Sequence, residues 1–202
     1  MPASGRAVEP ACQIKLSYFH KKIMRRPFLL ISLLLIALSV FSQPISTKGW
    51  LSFTDSAGMF TALYPGTWKN KIKEGNRVFF TSPAENEADQ FNENINISVK
   101  INPSFGTSVK IKEMFPAVTE QLKTAFREFK SESQRNFLWN KVDAVEIVYS
   151  GFSGQDDTPR IRIIQWFCFY KTRLYTVTYT AEATNTVYQK TAMAIMGSIL
   201  FK

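Results

Sequence analysis

An acidic stretch between two strand-like segments is the strongest candidate for a metal site. Four carboxylates occur within nine residues: Glu85, Glu87, Asp89 and Glu93. Hard divalent cations such as calcium or manganese prefer several oxygen ligands at once, and carboxylates in one loop can supply them. The spacing superficially matches a calcium loop, but Gln90 stands where such a loop needs glycine and Asn96 where it needs a bidentate glutamate. The stretch therefore predicts either a divalent-cation site or a solvent-exposed loop.

A second candidate lies on the polar sides of two strands. Apolar and polar side chains alternate over residues 94–102 and again over residues 174–181, which is typical of half-buried strands. The polar sides carry hydroxyl, amide and ammonium groups: Asn96, Ser98, Lys100, Thr176 and Thr178. Glu146 and Arg162 would contribute if the strand register allowed. Such a surface could bind a glycan, a peptide or an anion, or it could be the ordinary water-facing side of an antiparallel sheet.

A lysine triplet is the third candidate. Lys69, Lys71 and Lys73 alternate along one segment, so in a strand they share one face. They could attract a phosphate-rich partner. Lysines on an edge strand also discourage aggregation, which is the alternative explanation.

Much of the positive charge lies near the N-terminus. The 202 residues carry a formal net charge of +9, from 25 basic and 16 acidic residues. Residues 1–42 hold six of the basic residues and only one acid, together with the single histidine, His20, and Cys12. If this segment is removed, the remaining chain carries +4, one cysteine and no histidine. Histidine-based catalysis, a Ser-His-Asp triad and a Cys/His zinc site are then excluded.

The same N-terminal segment predicts export. The apolar run at residues 28–41 follows the basic residues Lys21, Lys22, Arg25 and Arg26 and ends in small residues. This is the pattern of a secretory signal peptide with cleavage after Ser42, which leaves Gln43 first. A retained membrane anchor is the alternative, although a span needs about 20 apolar residues. Translation could start at Met1 or Met24. We expect a secreted or periplasmic chain with no stable membrane span, no nucleic-acid partner and a buried, inert Cys168.

The elements that must position these residues indicate an α+β domain. Residues 43–49 are expected to form a flexible leader, and residues 50–202 one domain. Hydrophobic periodicity predicts strands over residues 50–54, 58–64, 68–73, 77–82, 94–102, 141–150, 160–170 and 174–181. It predicts helices over residues 108–129, capped by Ser108, and 184–200, capped by Thr184. Pro116 would either kink the first helix or begin its regular part. Asp156 and Asp157 lie in a stretch of turn composition.

The order of several short motifs resembles the PsbP-like family. The segment FTALYPGTW at residues 60–68 is similar to the opening motif of that family, and VFFTSP at 78–83 to the strand that follows. Further similarities lie at NINISV (94–99), YTVTYTA (175–181) and SILF (198–201). The resemblance implies an α/β/α sandwich around an antiparallel sheet of about six strands. Plant and cyanobacterial members of the family assist the oxygen-evolving side of photosystem II, whereas others are exported proteins or binding adaptors.

Together these features favour an exported, non-enzymatic module that binds a protein or a cell-envelope component. The alternative is a protein that binds a divalent metal or small ligand through the acidic loop or the polar sheet face. No other cofactor is expected. A strand end followed by a turn and an apolar anchor explains the motif around Tyr64 and Trp68 structurally, and a ligand contact by one of these two side chains is the alternative.

Overall fold

A computed structural model describes residues 45–73, 77–105, 110–154 and 158–202. The chain divides into two units, residues 1–44 and residues 45–202, and every described residue belongs to the second. The predictions for the signal segment, for the cap at Ser108 and for the turn at Asp156 and Asp157 lie outside the described residues. Residues 45–49 form no helix or strand.

The described unit contains ten strands, two α-helices and one 3-10 turn. The strands are β1 Leu51–Thr54, β2 Phe60–Tyr64, β3 Lys69–Lys73, β4 Arg77–Thr81, β5 Asn94–Ile101, β6 Arg127–Trp139, β7 Val142–Phe152, β8 Ile161–Tyr170, β9 Arg173–Glu182 and β10 Leu200–Phe201. The helices are α1 Phe115–Ala125 and α2 Gln189–Gly197, and the 3-10 turn Ile111–Met114 directly precedes α1. Among the described residues, no helix has the length and apolar character needed to cross a membrane.

The strands form two antiparallel sheets. The larger sheet has the order β3-β4-β5-β9-β8-β7-β6, and the smaller has the order β1-β2-β10. The predicted α+β class is confirmed, with seven strands in the central sheet rather than about six. A tight hairpin joins β8 to β9, with Lys171 at a φ of 56°.

Apolar side chains cover the central part of the large sheet on both faces. On one face, which we call the α1 face, Val145, Ile147 and Ile163 pack with the 3-10 turn and α1. On the opposite α2 face, residues of β4, β5 and β9 pack with α2 and the small sheet. Strand β8 contributes to both clusters, as its two apolar sides predict. The two helices therefore lie on opposite sides of the sheet, which confirms the sandwich.

The first predicted helix is too long at both ends. The regular helix begins with Pro116 in its first turn, where the missing N–H costs nothing, and ends at Ala125. Phe126 is extended, with φ −120° and ψ 124°, and Phe129 belongs to β6. Strand β6 was not predicted because its 13 residues are mostly polar and exposed, so they show no apolar alternation. Pairing with β7 defines it instead.

The second predicted helix is shorter than its apolar pattern. Helix α2 begins after Tyr188 rather than Thr184, and it ends at Gly197. Leu200 and Phe201 leave the helix to pair with Thr61 and Phe60 of β2. This pairing competes with helical hydrogen bonding for the same backbone groups and joins the chain end to the small sheet.

Candidate binding surface

The predicted polar residues of β5 and β9 lie together on the α1 face. Strand β5 pairs with β9 so that Asn96 is opposite Thr178 and Ser98 is opposite Thr176. Alternate residues of β5, such as Ile95 and Ile97, point into the core on the other face. The five predicted surface residues therefore share one side of two neighbouring strands. Glu146 and Arg162 do not join them, because both lie on the α2 face.

The lysine triplet lies on the same face as these polar residues. Lys71 is opposite Phe79 of β4, Phe79 is opposite Asn96 of β5, and Asn96 is opposite Thr178 of β9. Directly opposed residues of an antiparallel sheet point to the same side. We call this surface the basic–polar face, and define it as Lys69, Lys71, Lys73, Asn96, Ser98, Lys100, Thr176 and Thr178. The sequence showed two separate candidates, and only the strand order brings them together.

The charge on this surface has one sign over three strands. Strands β3, β4 and β5 contain no acidic residue, and the single acid of β9, Glu182, is its last residue. All five residues of β3 are exposed. The ammonium of Lys73 lies 4.5 Å from the centre of the Phe79 ring, which holds that cation over the sheet. Such an arrangement raises the local concentration of anions.

Hydrogen bonds order the polar half of the face. Gln165 of β8 donates from Nε2 to Thr178 Oγ1 over 2.8 Å, and Tyr149 of β7 donates to Gln165 Oε1 over 3.5 Å. Burial raises the pKa of Tyr149, so its hydroxyl remains a donor. The Oδ1 atom of Asn96 is buried and has no donor. Because Thr178 accepts from Gln165, its own hydroxyl proton remains available to a ligand.

The acidic loop is organised by hydrogen bonds of its own. The Asn185 amide donates to Glu85 Oε1 over 2.5 Å and to Glu93 Oε1 over 2.8 Å, so it bridges two of the predicted metal ligands. Val187 N donates to Asn185 Oδ1 and thereby fixes the amide orientation. Asp89 accepts from the backbone N–H groups of Glu85 and Phe91, and Glu87 is exposed.

Glu93 is the one fully buried carboxylate of this loop. It is 0% exposed and accepts a hydrogen bond from Ser82 Oγ over 3.0 Å. Burial raises its pKa, the hydrogen bonds oppose that rise, and the charges of Glu85 and Asp89 add to it. Within the described ranges, no group of three or more His, Cys, Asp or Glu residues is arranged to hold a metal ion. The metal site therefore stays a prediction.

A third polar cluster, missed by the sequence reasoning, lies on the α2 face. Glu146 accepts from Arg135 Nε over 2.6 Å, from Arg135 Nη2 over 3.1 Å and from Trp166 Nε1 over 2.7 Å. Burial alone would raise the pKa of Glu146, but these donors outweigh burial and the pKa lies below its usual value. In the sequence, the only signal for this cluster was the opposite charge of Arg135 and Glu146, which lie eleven positions apart in a hairpin. Because every carboxylate oxygen has a donor, the cluster is structural.

The remaining sequence candidates have structural contacts. Tyr64 accepts a hydrogen bond from Asn70 over 2.7 Å, and Trp68 is buried against Tyr188. Cys168 is 0% exposed, and burial raises the pKa of its thiol to about 12. The thiol therefore remains protonated and inaccessible, in agreement with the prediction of an inert cysteine.

Comparison with known proteins identifies the fold. No family model matches the chain. No curated protein matches it by sequence. Solved structures do match: cyanobacterial PsbP from Synechocystis sp. PCC 6803 has a TM-score of 0.53 and 12% identity over 80% of this chain and 97% of its own. The Ran-binding protein Mog1p from Saccharomyces cerevisiae has a TM-score of 0.52 and 8% identity over 76% of this chain and 95% of its own.

A third match comes from LpqN of Mycobacterium tuberculosis, described as involved in cell envelope biogenesis. It has a TM-score of 0.55 and 9% identity over 76% of this chain and 90% of its own. At these identities the likeness concerns the fold alone. The chain thus has the α+β fold of PsbP and Mog1p, as its resemblance to PsbP-like sequences implied.

Proposed function

From the shared fold as the premise, we propose that this chain is an exported, non-enzymatic module that binds an anionic protein or cell-envelope component through its basic–polar face. The main supporting observation is the row of directly opposed residues Lys71, Phe79, Asn96 and Thr178 across four strands. This row joins a cationic edge strand to neighbouring hydroxyl and amide groups. The cations attract a negatively charged partner, and the polar row supplies short-range hydrogen bonds.

Three observations support this choice of function class. A neighbour in fold is described as Ran-binding and another as involved in cell envelope biogenesis. The signal-like N-terminal sequence favours export. In addition, residues 43–202 contain no histidine, and the only cysteine in that range is buried. Binding, unlike catalysis by histidine or cysteine, requires neither a histidine nor an accessible thiol.

The test compares two charge-reversal variants of equal net charge. Lys69→Glu/Lys71→Glu alters the basic–polar face, whereas the control Lys48→Glu/Lys190→Glu alters exposed lysines elsewhere. Each protein is cross-linked in a cell-envelope fraction at low salt, and captured material is identified by mass spectrometry. We expect one set of partners with the wild type and the control, a loss with the face variant, and weaker capture at high salt because the charges are screened.

Two outcomes would contradict the proposal. Capture that is equally strong with both variants would show that the face plays no part. Complete absence of specific capture by the wild type would remove the binding function itself. Circular dichroism spectra of the three proteins exclude misfolding as the cause of a loss.

A second candidate function is the binding of a divalent cation by the acidic loop. It is favoured by the electrostatic repulsion that Glu85 and Asp89 exert on Glu93. This repulsion raises the pKa of Glu93, and a bound cation would neutralise it. It is opposed by the Asn185 amide, which already lies between two of the carboxylates. Calcium and manganese should each raise the melting temperature if the site exists, and Asp89→Ala should abolish that rise. No shift with either ion would refute this candidate.

A further inference from the structure

A groove lies at the far end of the large sheet from the lysine-rich edge strand β3. Its volume is about 790 Å³, and it runs between the 3-10 turn and the end of β6. Its apolar part includes Ile111, Leu138 and Phe169, and Lys110 and Lys112 lie beside it. Leu138 is 69% exposed and therefore presents apolar surface to the groove.

The groove adjoins an unpaired strand edge. Strand β6 is the last strand of the large sheet, so within the described unit its outer edge has no partner strand. Its first half is irregular, with register shifts between Arg127 and Lys130 and between Ser131 and Ser133. Bulges of this kind discourage pairing with another chain.

The second half of β6 lacks this protection. From Gln134 to Trp139 the pairing with β7 is continuous. The charge of Arg135 is directed to Glu146, and the next three residues, Asn136, Phe137 and Leu138, carry no charge. A regular, uncharged edge beside an apolar groove is the arrangement by which sheets accept an added peptide strand.

The charges around the groove indicate which kind of peptide would bind there. Lys110 and Lys112 are exposed, and neither takes part in a salt bridge among the described residues. Asp143 is the one carboxylate among the lining residues. Side chains two positions apart in an extended segment point to the same face of the sheet. On the side that faces the groove, apolar residues could therefore enter it while acidic residues two or four positions along approach the lysines that line it.

We propose that the second half of β6 accepts an extended acidic peptide segment as an eighth strand of the large sheet, with its apolar side chains in the groove. The backbone edge supplies hydrogen bonds, Leu138 and Phe169 supply apolar contact, and Lys110 and Lys112 favour acidic sequences. This surface is separate from the basic–polar face and does not depend on its function.

The probe is a fluorescein-labelled peptide, Ser-Glu-Thr-Glu-Thr-Leu-Thr-Val-Ser, in which the two Glu, the Leu and the Val share one side, and binding to the full chain is followed by fluorescence anisotropy at low salt. Two further probes carry N-methyl groups on either the odd or the even residues. N-methylation removes the N–H donors of one peptide edge. We expect the unmodified peptide to bind, one methylated peptide to bind equally well and the other to fail, because only one edge can face β6.

Protein variants locate the binding. Lys110→Glu/Lys112→Glu should weaken the affinity about tenfold, since two favourable charge contacts become repulsive, and Leu138→Gln should weaken it as well. The control Lys48→Glu/Lys190→Glu should bind like the wild type. Failure of the unmodified peptide to bind would overturn the proposal. So would equal binding of both methylated peptides, or a loss with Lys69→Glu/Lys71→Glu in place of Lys110→Glu/Lys112→Glu.

Discussion

The buried carboxylate Glu146 gives the most direct physical test of the packing on the α2 face. Its side chain is 9% exposed, whereas that of its partner Arg135 is 60% exposed. Arg135 contributes two of the three hydrogen bonds to the carboxylate, and Trp166 contributes the third. Arg135→Met removes the charge and two donors while it keeps a long apolar side chain that can still cover Phe137.

The expected cost lies between two known limits. Breaking a fully buried ion pair costs about 3–5 kcal/mol, and an exposed pair is worth about 0.2–1 kcal/mol. Here one partner is buried and the other is largely solvated, so we expect Arg135→Met to lower the free energy of unfolding by about 2 kcal/mol. For a domain of this size that corresponds to a melting temperature about 4–8 °C lower. The control Lys123→Met breaks the exposed pair with Glu120 and should change stability by less than about 1 kcal/mol.

The pH dependence has a defined sign. The pKa of Glu146 is lowered in the folded state, so its contribution to stability is present above its unfolded pKa and is lost as the pH falls through the folded pKa. The difference between the wild type and Arg135→Met should therefore be large at neutral pH and should shrink in acid. Urea unfolding at several pH values, followed by tryptophan fluorescence, measures it, since Trp166 contacts the carboxylate directly. A difference below about 0.5 kcal/mol at neutral pH, or one that does not change with pH, would refute the reasoning.

Three further predictions follow from single side chains. The pKa of Glu93 is raised in the folded state, so its favourable contribution is lost as the pH rises through that pKa; Glu93→Gln should therefore gain stability relative to the wild type between acid and neutral pH in urea unfolding, and a constant difference would count against it. Cys168 should resist a thiol reagent in the native protein and react only on unfolding; rapid native labelling of Cys168, distinguished from Cys12 by peptide mapping, would disprove its burial. Phe201 contacts Trp139 and Tyr175, so Phe201→Ala should cost about 3 kcal/mol in the same assay, and a loss below about 1 kcal/mol would show that β10 is not anchored by this ring.

The sequence predicted those elements that bury an alternating apolar side. Strand β5 has Ile95, Ile97 and Val99 on its inner side, and that alternation is visible without any partner strand. Strand β6 has no such pattern, because a polar edge strand is stabilised by its backbone bonds to β7. Helix ends were misplaced for a related reason. Phe126 and Leu200 continue the apolar periodicity of the helices, but Phe126 has an extended backbone and Leu200 pairs with β2.

The candidate surface was predictable only in parts. The alternation identified the polar residues of β5 and β9 separately, and it identified the lysines of β3. That β3 joins β5 through β4 on a common face depends on long-range pairing, for which Lys71 and Asn96 carry no local signal. The Asn185 bridge was missed because the amide lies 92 residues from Glu93 in the chain.

The position of the basic–polar face follows from how little of the sheet one short helix can cover. Seven strands at about 4.8 Å spacing are about 29 Å wide, whereas a helix with its side chains is about 10–12 Å across. On the α1 face, the 3-10 turn and α1 pack against β6, β7 and β8, so the same side of β3, β4 and β5 must carry groups compatible with water. Compatibility with water requires polar groups but not one sign of charge, and soluble surfaces usually mix both signs. Protection of an edge strand accounts for the lysines of β3. Arg77 of β4 and Lys100 of β5 lie beyond that edge strand, and none of the three strands has a carboxylate. An anionic partner explains positive charge that extends over all three strands.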